Sequence, residues 1–398
     1  MEKDNSKVRI ILITVLLTLA IVGIAFALFM KMSNLVFVNE KSYNNAVEQI
    51  KGNEKFFDIQ RLIDETFLWE YDQSAEKEAI YRSMLDSLGD QYTRYLNEGE
   101  LQDLIDSMNS SFTGVGVVFM QTEEGFIITE VINEGPAYYA GLKAGDYILK
   151  VDGEEFENSD DMAHAIRGEA GTQVKLLIKR DKEEIEFDIV RGKIEDASVE
   201  GITIEDGKLG YIRIKSFGDD TAKNFDKALS QLESQGVQGL VIDLRNNSGG
   251  LFDEGVKIAD RLLAEGIVSY AEDKNGNREN YNSDAKHTEL TMVVLTNGAT
   301  ASTSEMLAAA LKDYGVTLVG EKTFGKGIMQ ETHIYSDNTA VNVTVREFFS
   351  PNGNKIHGAG VEPTEVVPYS YELEDTQLNR AIELLLKKKT SKAFIFYG

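Results

Sequence analysis

A serine in a small-residue turn and a lysine held between glycines are the two side chains in this sequence that could do chemistry together. The first turn, Gly298 to Thr303, carries hydroxyls and almost no bulk, and it offers Ser302. The second, Gly325-Lys326-Gly327, offers Lys326. A serine at a helix N-terminus sits among backbone N–H groups that lack intrahelical partners and can hold a developing negative charge. Glycines beside a lysine let backbone pack closely and strip water from the amine, which disfavours the ammonium. Lowering a lysine pKa from about 10.4 to about 8 takes roughly 3 kcal/mol of differential destabilisation. A neutral lysine can then accept the serine proton, the Ser-Lys form of nucleophilic catalysis. Gln330, just beyond the lysine, is placed to orient its amine.

Plainer readings stand beside this one. A serine in such a turn is most often only a helix cap, and glycine-flanked lysines are usually solvated. Gly320 to Lys326 also fits the G-x-x-x-x-G-K opening of a phosphate-binding loop. Gly327 stands where that loop needs Ser or Thr for magnesium, and Ile328 to Ile334 reads as a strand where a helix is required. The nucleotide reading fails on both counts.

The elements around the two turns would bring them together. Thr291 to Thr296 reads as a buried strand delivering Ser302 at its end, where α/β sheets usually carry reactive residues. Helix formers run from Ser304, the expected N-cap, to Leu311, and Val316 to Val319 reads as the next strand. Upstream, Leu209 to Ile214 is a strand and Thr221 to Gln235 an amphipathic helix. Val237 to Leu244 is a buried strand ending in Arg245-Asn246-Asn247-Ser248-Gly249-Gly250, ahead of a helix from Phe252 to Leu263. A glycine pair at a strand end lets backbone approach a ligand closely.

The balance of 41 Lys+Arg against 66 Asp+Glu, a net charge of −25, argues against nonspecific nucleic-acid binding. The absence of cysteine excludes disulfides, thiol nucleophiles and cysteine-zinc sites. Ile10 to Met30 carries no charge and is long enough to cross a bilayer. Lys3, Lys7 and Arg9 precede it, so the N-terminus is expected to stay in the cytoplasm. Ala25-Phe26-Ala27 would suit signal cleavage, but the run exceeds a usual signal core, which favours a retained anchor with the remainder exported. Lys41 to Met108 has helical periodicity and no evident chemical group; Trp69 and its neighbours read as helix packing.

Short alternating strands follow, with Gly114-Val115-Gly116-Val117, Gly135-Pro136-Ala137 leading to Ala140-Gly141-Leu142, and Gly145-Asp146 leading to Val151-Asp152-Gly153. Together they resemble a PDZ domain. In such a domain a glycine-rich turn offers N–H groups to a peptide carboxylate and a strand edge pairs with the peptide. That resemblance assigns Gly114, Val115, Gly116 and Val117 to the loop and edge. It assigns Met162 and Ile166, on a helix starting near Asp160, to the groove. His164 on this helix has no partner ligands nearby and reads as a surface or groove residue.

Thr300-Ala301-Ser302-Thr303-Ser304-Glu305, then Gly320-Glu321 and Thr323-Phe324-Gly325-Lys326-Gly327 with Gln330, resemble the C-terminal processing (tail-specific) serine peptidases. The only departure in the first motif is Thr303, where that family usually has alanine. Met84 to Leu96, the turn at Arg245 to Gly250, and Ser350 to Ile356 with Gly360 to Pro363 fit the same family, so the resemblance spans most of the chain. It implies Ser302 as nucleophile, Lys326 as general base and Gln330 as the residue that positions it. It also implies an oxyanion hole from Thr303 and a backbone N–H of Gly249 or Gly250, and a PDZ domain that gates the site, with Arg167 a candidate for transmitting that state. No metal or organic cofactor is implied.

The fold expected is multidomain α/β and α+β. It comprises a cytoplasmic tail over 1–9, a transmembrane anchor over 10–30, a helical region over 31–108, a PDZ domain over 109–193, a ClpP/crotonase-like α/β peptidase core over 194–370 and a helical tail over 371–398. Partners would be protein or peptide substrates with free C-termini and the membrane, with a homodimer allowed through the helical region or tail. The competing functions are an inactive PDZ scaffold that binds protein C-termini and an enoyl-CoA-binding relative of the core. The complete Ser302, Lys326 and Gln330 set argues against the first, and the PDZ insertion and export segment against the second.

Overall fold

The computed structural model describes residues 3–32, 39–108, 111–122, 125–195, 198–369 and 374–392. The start of the expected cytoplasmic tail, Ser110, Leu373, the last residues of the C-terminal tail and the side chain of His164 lie outside what is described. The chain forms two compact units, Met1–Lys77 and Glu78–Gly398.

In the first unit the apolar run lies in the helix Lys3–Met32. Its Lys7–Met30 stretch, with a mean hydropathy of 2.9, is the one helix among the described residues long and apolar enough to cross a membrane. Helices Glu40–Gly52 and Glu54–Thr66 follow. Trp69 corrects its expected packing role. The backbone becomes extended at Phe67, so Trp69 falls after the helix, 68% exposed, with an edge-on contact to Phe67.

The second unit is built on a six-stranded sheet. Its order is Glu365–Val366, Thr317–Gly320, Thr291–Thr296, Gly239–Asp243, Leu209–Ile214 and Val199–Ile204, all parallel except the last. Successive side chains of a strand point to opposite faces, and here both faces are covered. Leu240, Ile242 and Val294 pack in the cluster formed with helices Thr221–Ser234, Phe252–Leu262 and Thr303–Asp313. Val241, Val293, Leu295 and Val319 pack with Ala381 and Leu385 of the helix Thr376–Lys392. Two-sided burial is why these strands read as unbroken apolar runs. The C-terminal helix thus packs Ala381 and Leu385 on its own sheet.

Two further boundaries move. The serine helix begins at Thr303 with Ser302 as N-cap, not at Ser304, because the Glu305 carboxylate accepts the Ser302 N–H and closes the first turn there. Within the region expected to be helical, Arg94–Leu96 is a strand paired with Ala340–Phe349. Pairing between positions so distant in sequence leaves no trace in local periodicity. Ala340–Phe349 also pairs with Gly266–Asp273 and with Ile328–Ile334, the strand that follows Lys326.

The PDZ sheet runs Val117–Thr122, Gly125–Val131, Tyr147–Val151, Gln173–Arg180, Glu183–Val190, with Val117–Thr122 on its edge. Gly114 pairs with Gly192 in a short ribbon, Ser111–Gly114 with Gly192–Glu195, that joins the two ends of this domain. Val115, Met162 and Ile166 are buried in its core with Ile128 and Leu176, so the Met162 and Ile166 side chains are packing residues and Val115 has only its backbone to offer a peptide. A helix of eight residues, Ser159–Ile166, must turn its apolar side into so small a core.

Leu385→Ala tests the intramolecular role of the last helix. Losing this 5%-exposed side chain should destabilise the chain by about 2–5 kcal/mol, read by denaturant unfolding. A helix serving subunit contact alone would instead change only the concentration dependence of assembly.

Candidate active site

Strand Thr291–Thr296 leaves the sheet, turns through Asn297 to Ala301 and enters the helix Thr303–Asp313. Ser302 sits at the junction with φ 57° and ψ −120°. A side chain in that left-handed region costs about 1–3 kcal/mol. A strained strand-to-helix turn of this kind pushes a serine hydroxyl out from the end of the sheet.

The strain is held by Glu305, a carboxylate with no exposed surface. Its Oε2 accepts the Ser302 N–H at 2.9 Å and the Lys326 N–H at 2.7 Å. Its Oε1 accepts the Gly325 N–H at 2.7 Å and the Thr323 hydroxyl at 2.5 Å. One buried anion therefore fixes the backbone of both the serine and the lysine. In the sequence, the signal for this role of Glu305 is the capping-box spacing Ser302-x-x-Glu305.

The turn after Gly239–Asp243 closes against Ser302 from the other side. Asn247 donates its amide to Ile214 O at 2.8 Å, accepts the Gly249 N–H on Oδ1 at 2.8 Å, and receives the Ala301 N–H on its carbonyl at 2.9 Å. A Cβ on Gly249, at φ +103°, would lie 2.8 Å from Ser302 Cβ, so only glycine fits. The Thr303 hydroxyl donates to Gly250 O at 2.8 Å. Among the hydrogen bonds of the described residues, none uses the N–H of Gly250 or of Thr303, whereas that of Gly249 is already donated.

Gly327 packs against the segment at 356–360 so tightly that a Cβ on it would lie 2.3 Å from His357 N, while Gly358 N–H donates to Gly325 O at 2.9 Å. This packing fixes the backbone on both sides of Lys326. Burial, with the nearby positive charge of Arg94, holds the Lys326 pKa below the ordinary lysine value; Asp90 and Glu305 act in the opposite direction. The amine lies over the ring of Tyr92, 4.6 Å from its centroid. Gln330 does not orient it in this arrangement. Gln330 stands opposite Thr344 across the sheet, and its Nε2 donates to Thr344 Oγ1 at 3.2 Å.

Ser302, Thr303, Gly250, Lys326 and Gln330 line one cavity of about 440 Å³. So do Tyr92 and Arg94, in the stretch where sequence reasoning found no chemical group, and Leu104, Ser107 and Met108 of the helix Glu98–Met108. Gly114, Val115, Gly116, Val117, Met162 and Ile166 do not line it. Arg167 ends the PDZ helix and pairs with Asp103 of that same cavity-lining helix at 3.2 Å.

Known proteins carry the same combination. The profile of peptidase family S41 matches residues 208–367, and a PDZ-domain profile matches residues 113–190. The carboxy-terminal processing protease CtpB of Bacillus subtilis (strain 168) is 34% identical over 328 residues, covering 80% of this chain and 68% of that protein. The chain belongs to peptidase family S41. It is a serine-type peptidase of the carboxy-terminal processing kind, with a PDZ domain. A protein named "Probable CtpA-like serine protease" in Staphylococcus aureus (strain MSSA476) is 29% identical over 393 residues, covering 97% of this chain and 75% of that one. Among solved structures, a photosystem II D1 C-terminal processing protease is 32% identical with a TM-score of 0.52, covering 83% of this chain and 90% of that one.

In this S41 peptidase, Glu305→Gln would present an amide NH₂ where a carboxylate oxygen now accepts two donors. Leaving those donors unpaired in the interior should cost about 2–4 kcal/mol, read as a lowered unfolding midpoint. Retained stability would show that the two turns do not depend on the carboxylate.

Proposed function

We propose that the chain is a PDZ-gated endopeptidase that cleaves exported proteins near or from their C-terminus by a Ser-Lys mechanism, with Ser302 as nucleophile and Lys326 as base. The observation that carries this reading is Glu305, which binds the backbone N–H groups of Ser302 and Lys326 on one oxygen and so holds both at one cavity. Neutral Lys326 takes the Oγ proton as Oγ bonds to the substrate carbonyl carbon. The N–H groups of Gly250 and Thr303 receive the oxyanion. Lysine then passes its proton to the departing amine, leaving an ester on Ser302. Water, deprotonated by Lys326, attacks the ester carbon; the bond to Oγ breaks and the lysine returns the proton to Oγ. Gln330, on the cavity wall, is the residue to position the amine once it leaves Tyr92.

Gating has a physical route. The backbone of Gly114 to Val117 and the edge of Val117–Thr122 receive the substrate's C-terminus. Arg167, at the end of the groove helix, grips Asp103, and the helix carrying Asp103 presents Leu104, Ser107 and Met108 to the cavity. Tilting this helix reshapes the cavity. The helix Lys3–Met32, with basic residues before its apolar stretch, serves as a single-pass anchor with the catalytic unit outside the cytoplasm.

Ser302→Ala and Lys326→Ala should each remove cleavage of an unstructured protein with a free apolar C-terminus, read by intact mass; turnover by either would sink the assignment. The pH dependence provides a second test. The base works only when neutral, so kcat/KM should rise as pH passes the lowered lysine pKa. Arg94→Gln removes a positive charge that depresses this pKa, so its rising limb should move to higher pH. An unmoved limb would take Arg94 out of the electrostatics of the site.

A further inference from the structure

One contact of the cavity is unused by this mechanism. Among the described residues no hydrogen bond joins the Lys326 amine to Ser302 Oγ or Gln330; instead Nζ lies on the face of the Tyr92 ring, 4.6 Å from its centroid. The backbone under that ring is firmly set. Asp90 Oδ1 accepts the Tyr92 N–H at 3.1 Å and Oδ2 accepts the Thr93 hydroxyl at 2.7 Å. Thr344 N–H donates to Thr93 Oγ1 at 3.0 Å, and Arg94–Leu96 then joins the sheet. Glu305 pins the Lys326 backbone in turn. What remains free to move is the lysine's four-carbon stem.

We propose that Tyr92 is a positioning residue for Lys326: its ring face holds the amine as ammonium in a resting place, and an occupied cavity releases the neutral amine to the Ser302 hydroxyl. The inference rests on Lys326 being the base. An aromatic face attracts an ammonium and gives a neutral amine no comparable attraction. The Asp90 and Glu305 carboxylates also favour the ammonium, while burial and Arg94 oppose it. Burial raises the Tyr92 hydroxyl above its ordinary pKa, so the ring stays neutral while the lysine titrates. A peptide filling the cavity expels water and further disfavours the charged amine. The proton leaves with that water, and the loss that makes the amine basic also frees it from the ring. The contact is a latch that opens on deprotonation.

The test titrates Lys326 directly in the full chain in detergent micelles. Lysines are competitively labelled with acetic anhydride from neutral to alkaline pH, and the Lys326 peptide is quantified by mass spectrometry. Tyr92→Phe keeps the ring and should titrate like wild type. Tyr92→Leu, with Tyr92→Met as a second apolar replacement should leucine fail to fold, should lower the Lys326 midpoint by about half to one and a half pH units. A midpoint unchanged or raised in the apolar variants, or an equal drop in Tyr92→Phe, overturns the proposal. Cleavage is not read in this assay, so turnover by Ser302→Ala would sink the peptidase mechanism without altering what the titration says of Tyr92.

Discussion

The site depends on a single buried carboxylate. Glu305 has no exposed surface and accepts four hydrogen bonds, three from backbone N–H groups and one from a hydroxyl. Charge-assisted bonds of this kind are the strong ones, and a buried anion without them would be prohibitively costly. The two turns it ties lie on different pieces of chain, one entering a helix and the other a strand. Ser302 at φ 57° is tenable because Glu305 and the Asn247 turn hold its neighbours from both sides. Lys326 is placed by the same anion through its own N–H.

Around that centre the sheet acts as a stiff plate. Helices on one face and the C-terminal helix on the other bury the strands that end at the glycine turn and at Ser302. Arg245 strengthens the join. It bonds Asp243 at the strand end and Asp375 ahead of the last helix, at 2.6 and 2.8 Å. The helix that covers the far face is thereby anchored to the turn that closes against Ser302.

The electrostatics of the lysine are a balance. Burial and the charge of Arg94 favour the neutral amine, while Asp90 and Glu305 favour the ammonium. A group poised in this way responds to small changes in its surroundings. The helix Glu98–Met108 touches the cavity on one side, through Leu104, Ser107 and Met108, and Arg167 on the other, through Asp103.

Sequence alone determined the parts whose signal is local. Unbroken apolar runs marked the strands of the two-faced sheet, the glycines around Lys326 announced close packing and a desolvated amine, and the chargeless run after Arg9 announced the long apolar helix. The Ser302, Lys326 and glycine-pair motifs carried the family. Tertiary structure decided what rests on long-range contact. Arg94–Leu96 is a strand only because Ala340–Phe349 lies beside it, and that pairing is what brings Tyr92 to the lysine. Met162 and Ile166 look like groove residues on a helix until the small PDZ core claims them. Gly249 and Gly250 are equivalent as letters. Asn247 distinguishes them by accepting the N–H of Gly249, while no hydrogen bond among the described residues uses that of Gly250, because a hydrogen bond is settled by where atoms meet and not by which residues are neighbours in the chain.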